Sequence, residues 1–375
     1  MQFPATKHAP LKLAAWWSLG ALIALTALAA AEAGQLRKSH ADMVLSAIDT
    51  HIVPRLAKVE AAAETLTTDV KTLCAAPGDS GLLKRAQKSF ANTVEAWGAI
   101  DFIRFGPVAE EHRLERFFFW PDPRATTERQ LQALLAKRDP KLLEEKALID
   151  ESVAVQGLGA LEFILWNEKK PLDAGDDDAR YRCQFATAIS TNLADIAHAV
   201  THGWTSPDGW RSKMLATGSD NPVYKDASES AREIVKAIVM GIGILQDRNI
   251  LPRLNALKMD PPKRVRFAFE RSGLTVRYLQ AEIASLDALY DALGLSGYIP
   301  PDKMWMREFM PRSFKSLRDN IGLLVETDVD GALDEPTMMK LRRLKFDANG
   351  LRMVITRELA PAADLVLGFN ELDGD

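Results

Sequence analysis

The chain has little of what metal-bound or disulfide-stapled scaffolds are built on. Its 375 residues hold two cysteines and six histidines. No Cys-x-x-Cys pair occurs, which gives no support to a cysteine-rich zinc site. No His-Glu-x-x-His sequence marks a zinc peptidase. A surplus of positive charge is missing as well: 47 Lys and Arg stand against 51 Asp and Glu, a net charge of −4. That speaks against a generally basic nucleic-acid binder. No segment shows the regular apolar–polar alternation of a half-buried strand. After the N-terminal segment, no second charge-free run of comparable length appears.

What is present reads as a folded chain. An apolar share of 47% beside 26% charged residues excludes disorder, and the length suggests two domains. The first 33 residues have the layout of a secretory signal peptide. Lys7, His8 and Lys12 form a basic start, Leu13 to Ala31 carry no charge, and Ala29-Ala30-Ala31 and Ala31-Glu32-Ala33 fit small-x-small cleavage. The run is also nearly long enough for an uncleaved anchor, which would be the chain's one membrane contact. Either way the remainder is expected outside the cytoplasm, in the periplasm or cell envelope. There an oxidising medium makes pairing of Cys74 with Cys183 the default, bridging the two halves of the chain. Closing so long a loop stabilises by roughly 4–5 kcal/mol in the chain-entropy model. The alternative is two buried thiols.

The periodicity is helical throughout. From 40 to 73, Met43, Leu45, Ile48, Ile52, Leu56, Val59, Ala63, Leu66, Val70 and Leu73 recur three or four apart. Similar stripes run from Ala86 to Ile100, Phe185 to Val200, Ile234 to Leu245, Val276 to Leu289, Phe314 to Leu324, and from about Thr337 to Leu367. Thr126 or Thr127 is expected to cap a helix over 128–137, and Asp139-Pro140 to open another. The fold class is all-α: two helical bundles, 34–170 and 171–375, joined by the polar stretch Glu168–Arg180. His51-Ile52-Val53-Pro54-Arg55-Leu56 resembles Asn249-Ile250-Leu251-Pro252-Arg253-Leu254, which hints at a pseudo-twofold duplication. Trp204–Ser228, rich in Gly, Ser, Asp and Pro, is expected to be a surface loop.

Three segments do not look like ordinary bundle surface. Trp97 to Pro107 and Phe117 to Asp122 place aromatics on both sides of a Gly-Pro break, consistent with aromatic packing at a bend. Within the first, Asp101 and Arg104 are three apart and can pair on one helical face. The third is Gly157-Leu158-Gly159-Ala160-Leu161-Glu162-Phe163-Ile164-Leu165-Trp166, where a lone carboxylate sits among apolar residues and glycines. A buried Glu162 must be paired, bind a cation or take up a proton. It serves either as a structural hydrogen-bonding group or as the centre of a site. Gly157 and Gly159 allow close approach of a ligand or another backbone.

Together these segments resemble the imelysin-like proteins, also classed as M75 peptidases, whose signature is Gly-x-His-x-x-Glu followed by apolar residues and often Trp. Here the signature reads Gly157 to Glu162, then Phe163-Ile164-Leu165-Trp166. Arg104-Phe105-Gly106-Pro107 and Trp120-Pro121-Asp122 look like the family's first domain. Arg271-Ser272-Gly273-Leu274 and the ending Leu367 to Asp375 look like its second. The resemblance implies two exported helical bundles, a site near their interface around the signature helix, and a link to iron acquisition. Arg104 and Arg271 would then be charge partners of Glu162, with Asp101 and Ser272 close by. The partner would be an envelope protein or an iron- or haem-related ligand, with iron or another divalent metal the candidate cofactor.

One departure governs the functional reading: Gly159 stands where the signature has His. A His and a Glu three apart on a helix point the same way and can share a metal or a proton, and glycine can do neither. No catalytic residue and no metal ligand is therefore assigned. His112 with Glu115, and His198 with His202, are the remaining pairs at ligand spacing. The expectation is a binding protein, with an M75-type metallopeptidase as the alternative.

Overall fold

The computed structural model describes residues 37–76, 78–144, 146–167, 169–174, 176–259, 264–326 and 334–367. The segment expected to be a signal peptide and the ending Gly368–Asp375 lie outside the described residues. Among those described, every regular element is helical. The α-helices are α1 (His40–Ala47), α2 (Val53–Ala75), α3 (Ser80–Gly98), α4 (Arg113–Phe117), α5 (Thr126–Lys137), α6 (Leu158–Leu165), α7 (Asp177–Thr205) and α8 (Trp210–Leu215). They continue with α9 (Ala227–Leu245), α10 (Leu251–Ala256), α11 (Thr275–Leu293), α12 (Met306–Asn320), α13 (Leu323–Glu326), α14 (Glu335–Val354) and α15 (Ala360–Ala362).

The apolar stripes became buried faces. Along α1 and α2, Met43, Val44, Ala47, Ile48, Ile52, Leu56, Val59, Ala63, Leu66, Val70 and Leu73 are all in the core. Leu45 is the exception at 41% exposed, because at 100° per residue it faces away from the side set by Met43, Val44 and Ala47. Asp79, Asp176, Asp226 and Asp334 cap α3, α7, α9 and α14 by accepting backbone N–H groups of the first turns. At α5 the expected Thr126 or Thr127 cap is replaced. The Asp122 carboxylate accepts from both Thr126 N–H (2.7 Å) and Thr127 N–H (2.8 Å), so the threonines are the first helical residues and not the cap.

Two bundles form, but they interlock. In the first, α2 lies along α7 and α3, with α6 against α3 and α7. In the second, α9, α11, α12 and α14 pack together, and α1 joins them through α9 and α11. The rod from His40 to Ala75 therefore serves both bundles, and α7 packs in the first although it follows the expected boundary at 170. The Cys74–Cys183 disulfide joins α2 to α7 with Cα atoms 5.4 Å apart. It staples one bundle internally and does not bridge the two.

A π-helical turn interrupts the rod at Ile48–Ile52, and Pro54 follows as the second residue of α2. The look-alike segment does the same: a π turn at Gln246–Ile250, then Pro252. A proline ring collides with the carbonyl four residues back, and a widened turn relieves that contact. A third π turn at Ile355–Leu359 precedes Pro361 with no sequence likeness to the other two. The shared local geometry thus follows from proline placement, whatever the history of the two halves. Trp204–Ser228 also differs from expectation. Trp204, Met214 and Tyr224 are buried and α8 forms within the segment. The Arg104–Pro107 turn packs there, with Phe105 edge-on to Trp204 at 5.7 Å and Pro107 against Gly203.

Candidate functional site

The short helix α6 is apolar on every face, so it can only be an internal element, and Glu162 is carried inside with it. Its entry is set by Gly157. A Cβ there would lie 2.6 Å from Phe117 O and 2.7 Å from Arg116 O, so the backbones meet as closely as glycine alone allows. Glu162 is 8% exposed. Its Oε1 accepts the Ser272 backbone N–H at 2.8 Å and lies 2.6 Å from the Ser272 hydroxyl. The hydroxyl has one hydrogen, and the alternative acceptor, Phe269 O, is farther at 3.2 Å. Burial pushes the Glu162 carboxyl above its ordinary range. The Ser272 hydrogen bonds and Arg271 hold it down in part, while Glu270 adds to the rise.

Ser272 reaches Glu162 because the chain before α11 turns through left-handed backbone at Phe269 (φ 57°) and Gly273 (φ 71°). Leu274 N–H returns to Phe269 O at 3.0 Å and the Thr275 hydroxyl to Ala268 O at 2.6 Å, closing the loop. The carboxylate comes from the first bundle's α6 and its donor from the segment leading into the second bundle's α11. Arg271 lies over the Phe163 ring, 4.8 Å from its centroid, and meets Glu128 at 3.5 Å.

In front of Glu162 opens a cavity of about 380 Å³, lined by Phe119, Trp120, Thr127, Gly159, Phe163 and Arg271, with Arg264, Arg266 and Glu270 on the far wall. Gly159 faces open space: a Cβ there would meet only Thr127 Cγ2, at 4.0 Å. The cavity includes the room that a side chain at the signature's third position would occupy. Arg264, Arg266, Phe269 and Glu270 were missed in the sequence. They lie in a segment without periodicity, and only the Arg271-Ser272-Gly273 resemblance marked it.

The expected site residues divide into two groups. Glu162, Gly159, Arg271 and Ser272 come together, with Gly157 beneath them. Asp101 and Arg104 do not join them. Both line a different pocket, on the opposite side of Phe118 and Trp120. Arg104 is therefore not the charge partner of Glu162. Nor does it pair with the Asp101 carboxylate, because its Nε donates to the Asp101 backbone carbonyl at 3.1 Å.

The donors around Glu162 do not fit a transition-metal centre. One oxygen of Glu162 already takes two hydrogen bonds, Glu270 pairs with Arg264, and Asp122 is engaged by the α5 N-terminus. No group of three His, Cys, Asp or Glu at metal-holding geometry exists among the described residues. The histidine pairs also lie elsewhere. His198 Nδ1 sits 2.7 Å from Glu60 Oε1, its ring 6.1 Å from that of His202, and His112 ends the turn that enters α4. His51 is buried 3.1 Å from the Ser285 hydroxyl, and burial holds its pKa down to about 3, so it stays neutral.

Helices packed around a shared rod, with a buried carboxylate where α6 meets the segment leading into α11, define the class of protein: an all-helical bundle fold. The chain belongs to the imelysin family, whose model, described as Imelysin and named Peptidase_M75, matches residues 52–346. Among solved structures it is similar to an imelysin-like protein from Psychrobacter arcticum 273-4, with a TM-score of 0.67 at 18% identity, covering 88% of this chain and 97% of that one. It is also similar to a putative iron-regulated protein A precursor from Parabacteroides distasonis ATCC 8503, with a TM-score of 0.62 at 12% identity, covering 85% of this chain and 94% of that one. At these identities the likeness shows the fold. No curated protein matches the sequence.

Proposed function

We propose that this is an exported protein of the periplasm or cell envelope that takes part in iron or haem acquisition by binding a ligand or partner at the Glu162 cavity, without catalysis. The observation that carries the reading is Glu162 itself: a buried carboxylate at the bundle junction, held by Ser272 and facing a cavity, with glycine where the family signature has His. Such a group offers a hydrogen-bond acceptor of fixed position to whatever enters. It lacks the neighbouring imidazole needed to share a metal or relay a proton. The iron link is supported by the relative named as a putative iron-regulated protein. Export is supported by the basic, apolar and small-residue layout of the first 33 residues. Among the described residues no helix is long and apolar enough to cross a membrane.

Glu162→Ala tests the reading. Growth under iron limitation is expected to suffer in cells carrying the variant, while its thermal melt falls only by the few degrees that loss of the Ser272 hydrogen bonds costs. A variant that melts much earlier and behaves normally below its melting temperature would make Glu162 a structural residue. The family's peptidase name supports a second reading, a metallopeptidase. It requires protein ligands beyond Glu162 that the cavity does not supply.

A further inference from the structure

Behind the aromatic wall lies a second pocket that the Glu162 site does not use. It measures about 230 Å³. Asp101, Arg104, Arg248, Asn249 and Tyr278 bring polar groups to it, and Trp97, Phe119 and Trp120 bring aromatic faces. Three elements converge there. Asp101 and Arg104 follow α3, Arg248 and Asn249 stand on the π turn Gln246–Ile250, and Tyr278 comes from the first turn of α11. A π turn re-aims the side chains it carries relative to a regular helix, and such turns recur at functional sites.

The polar groups are incompletely matched to one another. Asp101 is 3% exposed and its Oδ2 accepts the Tyr278 hydroxyl, but its Oδ1 is buried with no partner in the protein. The buried indole N–H of Trp97 also lacks an acceptor. Arg104 and Arg248 each place one hydrogen bond, to the carbonyls of Asp101 and Trp120. Neither forms an ion pair with a described residue. A buried polar group left unpaired is costly, so a fold that keeps several around one pocket points to something that completes them. Glu282, one turn along α11 from Tyr278, is 0% exposed with both oxygens unpartnered. Burial, then the nearby Asp101, push its carboxyl far above the carboxylate range. Its neutral form is favoured, which opposes any cancelling of the arginines from that side. Asp101 sets at most one negative charge against the two arginines, and Glu115 is exposed, where solvent screens it.

We propose that this pocket binds a small hydroxycarboxylate anion, its carboxylate taken by Arg104 and Arg248 and its hydroxyl donated to Asp101 Oδ1. Two guanidiniums converging from different elements match a carboxylate's two oxygens. Asp101 supplies the acceptor that a plain carboxylate would leave unused. The aromatic faces enclose the ligand's carbon skeleton. The volume admits a small organic acid and excludes a peptide or a haem. The proposal does not rest on the reading of Glu162, which a different variant tests.

Calorimetric titration of the full chain with lactate, malate, acetate and inorganic phosphate decides it. Lactate or malate is expected to bind saturably and more tightly than acetate or phosphate. Arg248→Gln and Arg104→Gln should each weaken that binding by about tenfold or more, and Arg248→Lys by less, since it keeps the charge but loses the fork. Arg342→Gln, an exposed arginine on α14, should leave it unchanged. The wild-type titration stands alone if a variant does not fold. No saturable binding of lactate or malate overturns the proposal, as does a preference for phosphate or acetate. Binding that survives both glutamine substitutions in folded protein does so too.

Discussion

The wall made by Phe118 and Trp120, with rings nearly parallel at 8°, separates buried acids with opposite fates. On one side Glu162 accepts two hydrogen bonds from Ser272 and faces a cavity that Gly159 keeps open. On the other, Asp101 and Glu282 sit deeper: Asp101 accepts one hydrogen bond, from the Tyr278 hydroxyl, Glu282 accepts none, and three oxygens are left without partners. Both acids on the second side, like Glu162, have their protonated form favoured by burial. The difference lies in what the neighbouring chain offers. A loop bent through left-handed backbone delivers donors to Glu162, whereas Glu282 stands inside α11, where the neighbouring backbone N–H groups are already used by the helix itself.

The largest effect that would break this comparison lies beneath Glu162. Gly157→Val forces a side chain into the carbonyls of Arg116 and Phe117, which cannot yield as a flexible side chain could. A loss of roughly 3 kcal/mol or more in chemical denaturation is expected. Near wild-type stability would mean that the α6 entry is looser than described. Next comes a contrast in pH dependence. A carboxyl whose folded pKa is raised contributes stability that is present at low pH and lost as pH rises from the unfolded value towards the folded one. Glu282 is of this kind, so it erodes stability above the ordinary Glu range by up to about 1.4 kcal/mol per pH unit. Glu282→Gln should flatten that decline, which melts at several pH values between 4 and 8 would show. An unchanged slope would mean that Glu282 is not held protonated.

Ser272→Ala removes the hydroxyl but keeps the N–H to Glu162, and is expected to cost about 1–2 kcal/mol by thermal denaturation. An unchanged melt would show that the backbone donor alone satisfies the carboxylate. Smallest of all should be Gly159→His. The new side chain enters open space, and His is the better helix former, so stability should change by less than about 1 kcal/mol. A large loss would show that the cavity is not open at that point.

The all-helical fold was legible because three- and four-residue spacing of apolar residues over long stretches leaves no other periodic reading. Which bundle each helix joins was not. The stripe on α7 says that it buries a face, but not that the face lies on α2. The polar stretch before it read as a boundary when it is a connection within one bundle. Glu162 was legible as a lone charge in an apolar decade, and Ser272 through a family resemblance. The rest of the cavity wall was not, because Arg264, Arg266 and Phe269 are placed by backbone dihedrals that leave no spacing in the sequence. Asp101 and Arg104 were noticed for their helical spacing and assigned to the wrong side of the wall. Spacing reports which residues share a face of their own helix and nothing about what that face meets.

The central claim is that a glycine at the signature's histidine position leaves a binding site and no metal-dependent peptidase. Metal analysis of the purified chain, combined with a casein digestion with and without chelator, addresses it directly. The account predicts no stoichiometric metal and no chelator-sensitive cleavage. Stoichiometric zinc together with cleavage that the chelator abolishes would contradict it.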